Sequence, residues 1–272
     1  MSLIKDLVRP LVPEQIRRKV REGRVNREIE IWKELDLQRE LDGLRVRVVS
    51  KADWTVFNEI FVEGIYDSII LSALNRCPSD KCVNVLDLGA NVGFFTLRFV
   101  QQVFRSHVPD RPFAINCVEG SPRVYADLCA RLAENARLKG HVRTHHGLVG
   151  RRSGDAEMYE SSFGAGNSTV PQHWSKPTKV SFIDLDTLIP DKIEIDLLKC
   201  DIEGSEQDFQ NTYPDLLART KLAVVEVHNA YIDDRRFNDG MRQRGFQFHE
   251  VLWSSEKEKA SLVAYSRERP LS

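Results

Sequence analysis

Between residues 83 and 228, apolar runs of strand length alternate with segments of helical spacing, and this limits the chain to few folds. VNVLDLG (83–89), AINCVE (114–119), VRTHHGLV (142–149), IDLLKC (195–200) and KLAVVEVH (221–228) read as buried strands. FFTLRFVQQVF, RVYADLCARLAENARL and EQDFQNTYPDLLART read as helices, the last with an irregular middle. Strands alternating with helices pack as a mainly parallel sheet covered on both faces. AEMYE and KVSFIDL read as short strands around a polar, glycine-rich loop, SSFGAGNST. DDRRFNDGMRQRG reads as a helix closed by Gly245, and FQFHEVLW and ASLVAYSR as a terminal antiparallel pair. The expectation is an α/β domain over residues 46–272, with a mostly parallel seven-stranded sheet that ends in that pair.

Residues 1–45 have another character. IKDLVRPLVPEQIRRKVREGRVNREIEIWKELDLQREL is highly charged with a helical apolar period, interrupted early by Pro10 and Pro13. It reads as a helical extension that packs on the domain or on a second subunit, giving a homodimer. A basic amphipathic helix resting on a membrane surface is the alternative. No apolar run approaches the roughly 20 residues of a membrane-spanning helix. The start lacks the apolar core and cleavage site of a signal peptide. A formal net charge of −1 gives no global pull toward nucleic acid. The five cysteines form no C-x-x-C pair and fit reduced, packing thiols in a cytoplasmic protein, peripheral at a membrane if the arm lies there.

The first strand runs into a turn, VLDLGANVGFFTL. Asp87 ends the strand, Gly89 and Gly93 flank Ala90 and Asn91, and a helix follows at once. Glycine permits a tight turn and close approach to a ligand. The spacing is not G-x-G-x-x-G, and no G-K-[ST] is present, so a pyrophosphate turn and a P-loop are excluded. A turn preceded by Asp and not arranged for pyrophosphate suits a nucleoside that carries a sulfonium and a carboxylate tail, S-adenosylmethionine. Glu119, at the end of the second strand, is placed to accept from ribose hydroxyls.

With NEIFVEGIYD, VEGSP, SFIDLDTLI, LLKCDIEGSE and VVEVH, this turn resembles the FkbM family of S-adenosylmethionine-dependent methyltransferases over residues 58–230. The resemblance implies a Rossmann-like methyltransferase fold, Glu119 on the ribose, and the Asp87–Gly93 turn beside the methionine moiety. Glu63, Gly120, Ser121, Leu148 and Asp201 complete the expected cofactor contacts. After the acid of VEGSP, family members more often carry Pro-Asn, where this chain has Gly120 and Ser121. The acceptors implied are mostly hydroxyls of sugars, glycans or secondary metabolites; some similar proteins methylate peptide amide nitrogen. On the acceptor side stand Tyr66, Asn167 and Ser168, the last two in the glycine-rich loop.

The acids Asp201 and Glu203 follow the fourth strand. Glu226 and His228 end the fifth, on one face by strand alternation. His228 is the expected general base near neutral pH, with Asp201 next. Lys199 either neutralises the acids or snorkels past them. Glu203 and Glu206 have a plainer role available, charging the N-terminus of the following helix. Asp201, Glu203 and His228 together offer donors that suit a divalent ion, but proton transfer is the preferred reading and no metal is assigned. A non-catalytic nucleoside-binding scaffold is the competing class.

Overall fold

The computed structural model describes residues 23, 26–32, 34–159, 177–256 and 259–271. Seven strands join one sheet: β3 (Val83–Leu88), β4 (Phe113–Glu119), β5 (Val142–His146), β8 (Ile195–Cys200), β9 (Thr220–His228), β10 (Phe248–Ser255) and β11 (Ala260–Ser266). Their order is β10-β11-β9-β8-β3-β4-β5. The five strands from β5 to β9 in that order run parallel, and β11 is antiparallel to both its neighbours. This is the expected sheet with its terminal antiparallel pair, the Rossmann-like methyltransferase fold. β6 (Asp155–Tyr159) and β7 (Pro177–Ser181) form a separate antiparallel pair.

The central strands are covered on both faces, so they read as continuous apolar runs rather than alternating ones. Val85, Leu197 and Val224 point into one core with helices Asp67–Arg76 and Phe94–Arg105. Leu86, Leu198 and Val225 point into the other, with helices Glu206–Thr212 and Asp234–Gln243. The irregular middle of EQDFQNTYPDLLART is a break at Tyr213, whose backbone leaves the helical region (φ −121°, ψ 53°) ahead of Pro214. Proline disfavours the α conformation in the residue before it.

The N-terminal extension is not helical throughout. Residues 26–32 are helical, but β1 (Leu37–Leu41) and β2 (Leu44–Val48) pair as a hairpin. Its turn residues Asp42 and Gly43 both have positive φ (53° and 80°), as a type I′ turn requires. Leu44, Val46 and Val48 are buried in the main core, and position 45 falls inside β2. Asp-Gly between alternating residues is a hairpin signal that the surrounding charge and helical period obscured. The Lys/Arg-rich residues 5–19 lie outside the described residues. Among the described residues, no helix is long and apolar enough to cross a membrane.

Candidate active site

From β3 the chain moves outward to β4 and β5, then returns to the other side of β3 as β8 and β9. Ligands in open α/β sheets bind beyond the carboxyl ends of the strands where the order reverses. At this reversal Gly89 has φ +69°, and a Cβ there would lie 1.7 Å from the Asp201 carbonyl oxygen. The Gly89 and Ala90 N–H groups both donate to the Val118 carbonyl (2.9 and 3.0 Å), and the Asp201 N–H donates to that of Leu88 (3.1 Å). The glycine turn is thus pressed against the end of β8.

Glu119 locks this turn to the next. Its Oε2 accepts the Asn91 N–H at 2.9 Å and its Oε1 the Ser121 N–H at 2.8 Å. Asn91 reaches that position through a left-handed backbone (φ +49°), which Asn tolerates better than most residues. Burial raises the Glu119 pKa, and the two amides oppose that shift. Each carboxylate oxygen retains acceptor capacity beyond its backbone bond. Ser121 also caps helix Pro122–Ala133, accepting from the Val124 N–H at 3.2 Å.

Lys199 joins the two central strands electrostatically. Its Nζ donates to the Gly89 carbonyl at 2.6 Å and lies 3.4 Å from Asp201 Oδ2 and 3.8 Å from Asp87 Oδ1. Burial opposes its charge, but Asp201 and Asp87 outweigh burial and raise its pKa. Lys199 therefore neutralises rather than snorkels. Asp87 is fully buried, and burial raises its pKa against the pull of Lys199 and the Thr96 hydroxyl. Its Oδ2 accepts from that hydroxyl at 2.8 Å, while Oδ1 has no hydrogen-bond partner.

The acids after β8 separate into two roles. Glu206 is fully buried and closes the turn by accepting the Ile202 and Gly204 N–H groups at 3.1–3.2 Å. Its Oε1 also meets His228 Nδ1 at 2.9 Å, and on the other side of the ring Nε2 lies 3.3 Å from Glu203 Oε2. Burial works against a charged imidazole here, but the two carboxylates outweigh it and push the His228 pKa up to about 11. This corrects the expectation of a base titrating near neutrality, because two acids hold the ring protonated. Glu226 behaves oppositely: the nearby Asp201 charge, then burial, push its pKa up to about 8.

These groups line one cavity of about 550 Å³ beneath the segment from Lys51 to Tyr66. Lys199, Asp201, Glu203, Glu226 and His228 lie along one side, and Ile60, Val92, Phe94 and Phe95 supply apolar wall. The covering segment is an α-helix, Lys51–Phe57, that widens into a π-helix, Asn58–Glu63, closed by left-handed Gly64. π-helical turns are frequent at functional sites. Of the residues expected from sequence, Ala90, Asn91, Tyr66 and the strand-end groups meet in this cavity. Glu63 does not: it is exposed, and Glu59, one turn earlier, lines the cavity with Lys51. At i and i+4 an α-helix would put Glu59 and Glu63 on one face, so helical spacing alone does not distinguish them. Gly120 and Leu148 pack together beside Glu119, where a Cβ on Gly120 would lie 2.8 Å from Leu148. The third strand ends at His146, and Leu148 makes only an isolated bridge to Phe182. Asn167 and Ser168 lie outside the described residues.

No family model matches the chain, and no curated protein matches it. Among solved structures, it resembles the methyltransferase FkbM from Methylobacillus flagellatus KT at 12% identity and a TM-score of 0.49, over 89% of this chain and 59% of that one. It also resembles Aeropyrum pernix fibrillarin with bound S-adenosyl-L-methionine (13%, TM-score 0.45, 85% and 82% of the two chains). A third is magnesium protoporphyrin IX methyltransferase from Synechocystis PCC 6803 with bound SAM (9%, TM-score 0.45, 81% and 86%). The order and directions of the strands, rather than these distant likenesses, define the fold.

Proposed function

We propose that the protein is an S-adenosylmethionine-dependent methyltransferase, of the kind the FkbM resemblance implies, acting on a hydroxyl of a sugar, glycan or secondary metabolite. One observation carries the reading: at the strand-order reversal a glycine turn is anchored on the buried Glu119, and Ala90 and Asn91 of that turn share a cavity with Asp201, Glu203 and Glu226. The donor set fits the cofactor, since Glu119 retains lone pairs for a diol and the acids suit a cation. The residues that would hold it are the Asp87–Gly93 turn, Glu119 and Asp201. When bound, S-adenosylmethionine supplies an electrophilic methyl group on a sulfonium.

The chain's own work is positioning and proton removal. Ile60, Val92 and Phe94 exclude water from one side of the cavity, and Tyr66 offers a hydroxyl to the acceptor. Holding an acceptor in reacting geometry supplies several powers of ten in rate. Proton removal falls to the carboxylates Asp201 and Glu226, since His228 is clamped by acids. The acidic lining also favours a second reading, a cationic amine acceptor.

Labelled S-adenosylmethionine, offered with sugar, glycan, peptide and amine acceptors, tests both. Label on an acceptor oxygen, with micromolar calorimetric binding of the cofactor, is expected. Label on nitrogen selects the second reading. Absence of cofactor binding together with tight NAD binding overturns both.

A further inference from the structure

Asp201, Glu203 and His228 each present one donor atom to a common point: a carboxylate oxygen, a second carboxylate oxygen and a ring nitrogen, all within 4.8 Å of one another. They come from the ends of two adjacent strands, so the sheet fixes their spacing. His228 is oriented as metal-binding histidines are. Its Nδ1 faces Glu206 at 2.9 Å, and backbone amides hold Glu206 in turn. A histidine that donates one ring N–H to a carboxylate presents the other nitrogen as a ligand in a defined orientation. Here that nitrogen faces Glu203 and the cavity, and an ion entering there displaces the proton that the two acids otherwise favour on it.

Tyr66 supplies an independent observation. It is only 4% exposed, it lines the same cavity, and its hydroxyl lies in the fields of Lys199, Asp201 and Glu226. That hydroxyl has no hydrogen-bond partner among the described residues. The hydroxyl opens onto the cavity, where an oxygen ligand or metal-bound water would pair with it. Charge points the same way: Asp201, Glu203 and Glu206 stand around His228, and Lys199, 3.4 Å from Asp201 Oδ2, is shared among Asp201, Asp87 and the Gly89 carbonyl.

We infer that Asp201, Glu203 and His228 form a site for a divalent cation of the Mn²⁺ type, with its open positions toward Tyr66 and the acceptor. Two carboxylates and one imidazole suit such an ion better than Ca²⁺, which takes six to eight oxygens. The cation site stands on its own geometry. Its part in binding an acceptor oxygen, as a Lewis acid that makes the hydroxyl more acidic, rests on the methyltransferase reading.

The test needs neither cofactor nor acceptor. Chelator-stripped full-length protein is titrated with Mn²⁺, and the free-ion signal is followed by electron paramagnetic resonance. Saturable binding of one ion per chain is expected. Asp201→Asn and His228→Gln should abolish that binding. Glu206→Gln, which touches only the positioning residue, should weaken it by about 10–100-fold. Glu119→Ala should leave it unchanged. A second measurement covers variants that do not fold: in the wild-type protein, Mn²⁺ should broaden the His228 and Tyr66 ring resonances before others. Absence of saturable binding, binding undiminished in folded Asp201→Asn and His228→Gln proteins, or broadening centred elsewhere overturns the site. Failure of methyl transfer with Mn²⁺ bound would instead overturn the methyltransferase reading alone.

Discussion

The glycine turn and the acidic strand ends share one crevice but are built from different materials. The turn is held by backbone: Gly89 and Ala90 amides on Val118, and Asn91 and Ser121 amides on Glu119. The strand ends are held by side-chain charge: Lys199 among Asp87, Asp201 and a carbonyl, and His228 between two glutamates. A backbone-built cradle keeps its shape without a ligand. A charge-built cluster has its protonation and balance set by what enters. Substitutions at the turn should therefore act first on folding or cofactor affinity, and those at the cluster on charge balance and turnover.

The largest effect is expected at the contact between the two regions. Gly89→Val places a Cβ on the Asp201 carbonyl in a left-handed backbone. It should cost about 4–5 kcal/mol, at the exceptional end for a point substitution, read by chemical denaturation. A loss under about 1 kcal/mol would mean that the turn is not closed against β8. Next, Lys199→Met leaves Asp87 buried without its cation. Breaking a buried pair in this way should cost about 3 kcal/mol or more, and adding Asp87→Asn should recover much of it. Should the double variant be no more stable than the single, Lys199 acts chiefly through the Gly89 carbonyl and belongs with the backbone-built region.

Glu119→Ala should weaken S-adenosylmethionine binding by about 1.5–3 kcal/mol, the worth of hydrogen bonds to a charged group, as measured by calorimetry. Unchanged affinity would leave Glu119 as a brace for the turn only. The smallest stability effect belongs to Tyr66→Phe. Its hydroxyl has no partner to lose among the described residues, so the melting free energy should stay within about 0.5 kcal/mol of wild type. Turnover should fall, because the acceptor loses a polar contact. Equal loss of stability and turnover would place Tyr66 in the core rather than at the substrate.

Much of this molecule was legible in the chain. The apolar runs of β3, β4, β8 and β9 fall where the sequence places them, because strands buried on both faces must be apolar. The turn was readable for a related reason: only glycine fits where Asp201 approaches within 1.7 Å of a would-be Cβ. The β1–β2 hairpin was less visible, since five residues per strand leave too short an alternation to outweigh a charged helical period.

The sequence by itself determined the sheet, the turn and which acids stand at strand ends, because periodicity and glycine are local properties of the chain. Only the tertiary structure decided what those acids do. Glu206 closes a turn and orients His228 from 22 positions away, Lys199 meets Asp87 across two strands, and Glu59 replaces Glu63 on the cavity wall. The charge on each group depends on neighbours brought together by the parallel crossovers. Coulomb energy falls with distance in space and takes no account of distance along the chain, so the roles of these residues became readable only once the strands were in place.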